Sequence, residues 1–280
     1  MPEDIRDVPK AEYWDHFEKM WTGLLSYRYL GKLAPSMDKG VERESMVLRH
    51  DMRNAAGGIM AAPLCIASPE SGGMADDDYV PNPIIASMQV LDDARDVREI
   101  TMQREVIKIG RQMGFSRTRI VDIDNPERVI ALSQGMGVSI GETPGGYQAV
   151  ENAVVPVVDS PDMPSLAEVF GATRRADGTW QLGELSDELS SPDAALHLGP
   201  IHIVLEAASV DLAAAEAGTD RLQVEEWNVM FVARGKTGPF HAEGHAYLGN
   251  LGRIGVQLSL RDEGNANRVV TTAQATYRIV

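Results

Sequence analysis

Small and apolar residues dominate every face of the stretch 198–217, and its opening, Leu198–Ser209 (LGPIHIVLEAAS), holds a single carboxylate, Glu206. Such a run predicts a helix buried on most sides, over Gly199–Ala217. Gly57–Ser68 (GGIMAAPLCIAS) has the same make-up 141 residues earlier. It predicts a second buried helix over Ile59–Ser68, with Pro63 in conflict, because proline is tolerated only in a helix's first turn or at a kink. Long extended runs follow each helix. In the first half they predict strands at Ile84–Leu91, Glu99–Arg111, Ser116–Ile123 and Arg128–Ile140. In the second half they predict strands at Leu222–Ala233, Phe240–Leu248, Arg253–Arg261 and Val269–Ile279. No helix separates neighbouring strands, which implies antiparallel pairing. The turn residues Gly110-Arg111 return as Gly252-Arg253, 142 residues on. Two landmarks at nearly one offset argue for a duplicated unit.

The remaining segments frame these units. Residues 11–33 place Tyr13, Phe17, Met20, Trp21, Leu24 and Leu25 at helical spacing, with Gly31 and Pro35 marking the end. Ser45–His50 reads as a short strand, 69–83 as a loop, Ser165–Thr173 as a short helix and Trp180–Leu189 as the entry to the second unit. The expected organisation is an N-terminal helical segment (1–40), a first unit (41–142), a linker (143–178) and a second unit (179–280). The class is α+β: two long antiparallel sheets, each wrapped around a central helix.

Composition narrows the function. A net charge of −15 opposes general nucleic-acid binding. No window reads as long and apolar enough to span a membrane, so no membrane partner is expected. The N-terminal MPEDIRDVPK is acidic and lacks an apolar signal core, which points to the cytoplasm. One cysteine, Cys65, excludes an internal disulfide and a multi-cysteine metal site. His241, Glu243 and His245 alternate on one strand face without a further ligand, and a polar outer face accounts for them. No metal and no cofactor is expected.

A central helix wrapped by an antiparallel sheet, twice in one chain, resembles a double hotdog. The motifs resemble those of acyl-CoA thioesterases of the phenylacetic-acid-pathway type. There a strand ends in Asn, a His-Gly-Gly-like turn opens the helix, and an Asp or Glu lies nine residues after the His. His197-Leu198-Gly199 leads to Glu206 at that spacing, and Ala56-Gly57-Gly58 leads to Cys65, with Asn54 just upstream. Each half departs from the pattern. The first has Ala56 and Cys65 in place of His and a carboxylate. The second has Pro200 for a glycine and Ala195 in place of Asn.

The resemblance implies hydrolysis of an acyl-CoA or similar thioester where the two units meet, with CoA entering only as part of the substrate. One composite site would join Asn54, Gly57 and Gly58 to Glu206. Bare glycine amides at a helix start polarise a carbonyl, and a pocket carboxylate serves as base or nucleophile. The other site would join His197 and Gly199 to Cys65 and lacks a carboxylate. Arg104, Lys108 and Arg111, in a basic island of an acidic chain, are candidates for the CoA phosphates. A homo-oligomer, as a dimer of double hotdogs, is also implied.

Two alternatives stay open. LGPIHIVLEA resembles the helix start of acyl-carrier-protein dehydratases, which points to an enoyl-thioester hydratase or dehydratase, but the upstream His-Phe-Pro of those enzymes is absent. A non-catalytic acyl-ligand-binding protein is the other. Outside catalysis, Asn54 serves as a helix cap, His197 and His202 as core histidines and Cys65 as inert packing.

Overall fold

A computed structural model describes residues 2–30, 44–68, 79–145 and 157–280. The predicted stops at Gly31 and Pro35 and most of the predicted 69–83 loop lie outside these residues. The N-terminal part forms α1 (Tyr13–Gly23) and α2 (Leu25–Arg28), broken at Leu24, where ψ is 123°. The first half then runs β1 (Glu44–Val47), α3 (Ala61–Ala67), β2 (Tyr79–Val90), β3 (Glu99–Ile109), β4 (Met113–Asp122) and β5 (Val129–Glu142). The connection holds α4 (Leu166–Val169), closed by a capping box between Ser165 and Glu168, and β6 (Thr173–Arg174). The second half is β7 (Trp180–Leu182), the small hairpin β8 (Ser190–Ser191) and β9 (Ala195–Leu196), α5 (Leu198–Ala217), then β10 (Leu222–Phe231), β11 (Phe240–Leu248), β12 (Arg253–Asp262) and β13 (Arg268–Ile279).

Among the described residues, all strands but the β8–β9 pair form one sheet ordered β1-β3-β4-β5-β2-β10-β13-β12-β11-β7-β6. Each half repeats the same order outward from the middle, so β2 matches β10, β5 matches β13 and β1 matches β7. This is the double hotdog expected from the sequence. The halves join where β2 pairs antiparallel with β10, from Gln89 opposite Glu226 to Ile85 opposite Met230. Inward-facing residues such as Ile120, Ile130, Trp227, Val256 and Leu260 make one apolar core with the two helices. On the sheet's inner side α5 contacts β11, β12 and α3.

Three expectations need correction. β2 begins at Tyr79, inside the predicted loop. Pro81 and Pro83 fit a strand here because they lie at bulges, beyond the stretch that pairs with β10. The first buried helix starts at Ala61, not Ile59. Pro63 therefore falls third in the helix, where a missing N–H costs nothing, and Pro200 holds the same place in α5. Finally, Leu198–Ala217 is long and apolar enough to cross a membrane by length and composition alone, with mean hydropathy 1.4. Its apolar residues on all faces are what a helix enclosed by a sheet requires, and 61% of it is buried inside the protein.

Candidate active site

The carboxylate of Glu206 lies at the start of the other half's helix. From the third turn of α5, its Oε1 accepts the Ala61 N–H at 2.7 Å and its Oε2 accepts the Ala62 N–H at 2.6 Å. The position before them, Met60, offers no side-chain cap, and Pro63 has no N–H. Glu206 thus satisfies both free donors of the first turn of α3. The helix's positive end favours the anion. Burial opposes it more strongly: Glu206 is 1% exposed, and its pKa is raised to about 7, by burial first and with the two amides pulling downward.

Upstream, Asn54–Gly58 folds as a tight turn rather than as a helix start. Arg53 bridges Ile59, the Asn54 N–H donates to the Gly58 carbonyl, and the Gly57 N–H donates to the Asn54 carbonyl. Asn54 Oδ1 accepts the N–H groups of Ala56 and Gly58, at 2.9 and 3.0 Å. The glycine amides predicted to polarise a carbonyl are therefore already engaged. Gly57 serves the turn through its φ of +84°. In this structure the amides aimed at a carboxylate are those of Ala61 and Ala62.

Gln223 was not singled out from the sequence. It is 3% exposed at the start of β10. Its Oε1 accepts from Asn54 Nδ2 at 3.0 Å, and its Nε2 donates to the Ile59 carbonyl at 3.2 Å. It fastens the second half to the turn that leads into α3. A Cβ on Gly58 would lie 1.8 Å from Gln223 Oε1, so glycine permits this approach. The signal available was a lone amide between Leu222 and Val224, both buried.

The counterpart at the start of α5 is closed differently. His197 is the N-cap, and its Nδ1 accepts the Gly199 N–H at 3.2 Å and lies 2.9 Å from Ser26 Oγ of the N-terminal segment. The Tyr27 ring packs edge-on against the imidazole. A Cβ at Gly199 would sit 2.0 Å from Ser26 Oγ. Cys65 is buried beside Leu198 and His202 in a narrow crevice that also touches Ser68 and Phe231. His202 Nδ1 accepts from Trp227 Nε1 at 3.0 Å, and burial lowers its pKa to about 3, so it is a neutral core histidine.

The basic island does not converge. Arg104 stands opposite Thr118, a buried residue on the helix side of the sheet. A bulge between Val106 and Lys108 reverses the alternation, and Lys108 stands opposite Phe115 on the outer face. Arg111 is exposed in the turn after β3. On the strand read as a possible ligand face, Glu243 pairs with Arg261 at 2.5 Å, and His241 Nε2 lies 3.0 Å from Thr179 Oγ1.

No protein-family model matches the chain, and no curated protein sequence matches it. Solved structures do. An acyl-CoA thioesterase II from Mycobacterium marinum superposes with a TM-score of 0.56 at 13% identity, covering 91% of this chain and 98% of that one. The tesB protein of Mycobacterium avium subsp. paratuberculosis gives 0.56 at 14%, covering 85% and 93%. A hot dog fold protein from Alicyclobacillus acidocaldarius gives 0.51 at 9%, covering 88% and 97%. Together with the repeated strand order, these likenesses establish that the chain has the double hotdog fold.

Proposed function

We propose that the protein hydrolyses an acyl thioester of the acyl-CoA type where its halves meet. The observation that carries this reading is the Glu206 carboxylate, raised to about 7 and seated across the seam on the Ala61 and Ala62 amides. Those amides would hold the thioester oxygen as it gains charge. Glu206 would take a proton from water as the water oxygen bonds to the carbonyl carbon. The C–S bond then breaks, and the proton goes to the leaving thiolate. Direct attack by Glu206, with water releasing the acyl group afterwards, uses the same geometry. Asn54 and Gln223 act through the turn that aims Ala61 and Ala62.

Kinship with the phenylacetic-acid-pathway type in particular rests on the spacing of His197-Leu198-Gly199 to Glu206 and of Ala56-Gly57-Gly58 to Cys65, with Asn54 upstream. The CoA phosphates would meet either Arg104 or the Lys108 and Arg111 pair, since these lie on different sides of the sheet. Hydratase or dehydratase chemistry would need a histidine beside the carboxylate, and both histidines of this region are committed to other partners. The non-catalytic reading draws on one observation: both Glu206 oxygens are already satisfied, as a structural staple requires. Release of free thiol from a panel of acyl-CoAs decides between them. Hydrolysis by the native chain and its loss in Glu206→Gln are expected. Activity retained in that variant, or none on any chain length, defeats the enzymatic reading.

The reading includes a dimer of double hotdogs. On the outer face, Met230, Ile85, Met136 and Phe115 line up across four neighbouring strands. Met230 is 54% exposed, Ile85 37% and Phe115 36%. The first half's share of that face bears Lys108, Arg117 and Arg119 against Glu105, and the second half's bears Glu225, Glu226 and Glu243 balanced by Arg253, Arg261 and Arg278. A second copy turned end for end about the seam would cover the apolar row. Location in the cytoplasm belongs to the same reading, supported by a sequence with one cysteine.

A further inference from the structure

Two hydroxyls lie buried near Glu206, and neither closes a hydrogen bond. Ser209 is three residues further along α5, so it shares a helix face with Glu206, and it is fully buried. Tyr277, on β13, is 2% exposed. Its hydroxyl neighbours that of Ser209, and its ionisation is opposed by burial first and then by the charge of Glu206, with Ser209 pulling the other way. A buried hydroxyl without a partner costs about 1–3 kcal/mol. Two of them together, beside a buried carboxylate, call for a reason.

The thioester reading supplies one, because it contains a conflict. The substrate oxygen needs the Ala61 and Ala62 amides, and both are held by Glu206. The carboxylate must leave them before the carbonyl can enter. A charge leaving those donors in a dry core needs others to go to. Ser209 and Tyr277 are two donors within the neighbourhood of the same side chain.

We propose that Ser209 and Tyr277 are positioning residues that form a second seat for the Glu206 carboxylate, occupied when an acyl thioester takes the Ala61 and Ala62 amides. The shift exchanges two hydrogen bonds for two, so its cost is small. In the second seat the carboxylate accepts from both hydroxyls, remains ionised and works on water beside the bound carbonyl. The idea rests on the hydrolase reading and adds a resting state and a working state to it.

Steady-state kinetics of the full chain on its best acyl-CoA, as a function of pH, tests this with Tyr277→Phe and Ser209→Ala. Both variants keep the core's shape, and their melting temperatures are expected to equal or exceed the parent's. KM should hold while kcat falls about tenfold or more. The acidic limb of the kcat profile should move to higher pH, because a base with fewer donors is harder to ionise. The double variant should lose little beyond either single one, since both serve one seat. Unchanged kcat and an unchanged profile in both variants of an active enzyme overturn the second seat and leave the hydrolase reading standing. A native chain inactive on every thioester overturns both. If Tyr277→Phe fails to fold, Ser209→Ala carries the test alone.

Discussion

Glu206 of the second half caps the helix that opens at Ala61 in the first, with 2.7 Å between its Oε1 and the Ala61 nitrogen. One carboxylate thereby joins the two halves, ends a helix and sits where a reacting carbonyl would be held. The structural role and the proposed chemical one fall on the same two oxygens, so a useful variant must separate them.

Glu206→Gln and Glu206→Ala do so. The alanine leaves two buried N–H groups unmet and should cost about 2–4 kcal/mol in chemical denaturation. The glutamine retains one acceptor and should cost less. Thiol release should nevertheless fall at least about a hundredfold in both, since neither supplies a base. Equal loss of activity with unequal loss of stability marks a chemical role.

Stability should depend on pH through the same residue. The pKa of Glu206 is raised from 4.5 to about 7 on folding. The folded state therefore holds its proton more tightly, and the contribution is fully present below 4.5 and lost as pH rises through about 7. The span corresponds to about 3 kcal/mol, and it should vanish from the difference between the native chain and Glu206→Gln. Urea midpoints collected across that range measure it. Hydrolysis should run the opposite way, gaining as Glu206 ionises.

The turn before α3 gives a coupled pair. Gly58→Ala drives a methyl group into Gln223 and should destabilise the fold by about 1–3 kcal/mol. Gln223→Ala removes the obstacle but also the bridge to Asn54 and the Ile59 carbonyl. The double variant should be more stable than the sum of the single losses predicts, by about 1 kcal/mol. Strict additivity would show that Gly58 and Gln223 do not meet in solution.

Charge placed on the outer apolar row tests the dimer. Met230→Lys with Ile85→Lys, at exposed positions, should leave the melting temperature within a few degrees. Sedimentation should then report a monomer where the parent reports a dimer. A parent that is monomeric at every concentration removes the dimer from the proposal.

Much of the fold was legible because the chain states it twice. A helix apolar on all sides can only be a core helix or a membrane span, and long strands without intervening helices leave few topologies. Glu206 stood out as a lone carboxylate among residues such as Ile203, Val204 and Ala208. Its partners did not, because backbone amides of Ala61 and Ala62 have no signature in side-chain chemistry. The start of α3 was misplaced because Gly57 and Gly58 resemble a helix opening. Pro63 held the correction, since a proline third in the helix puts the first turn at Ala61. Gln223 stayed hidden because only pairing across β2 and β10 brings it to Asn54. The opposing faces of Arg104 and Lys108 depend on one bulge, which the residues between them do not announce.

The seam between β2 and β10 also bears on stoichiometry. The sheet is continuous across it through hydrogen bonds, so the contact of Glu206 with Ala61 and Ala62 is set by strand pairing and not by the peptide that links the halves. Free halves could pair with their own kind. Two first halves would bring together two helix starts and no carboxylate, and two second halves would bury two carboxylates with no matching amides. One covalent chain supplies each half once, and its β2–β10 pairing sets a single Glu206 on a single Ala61.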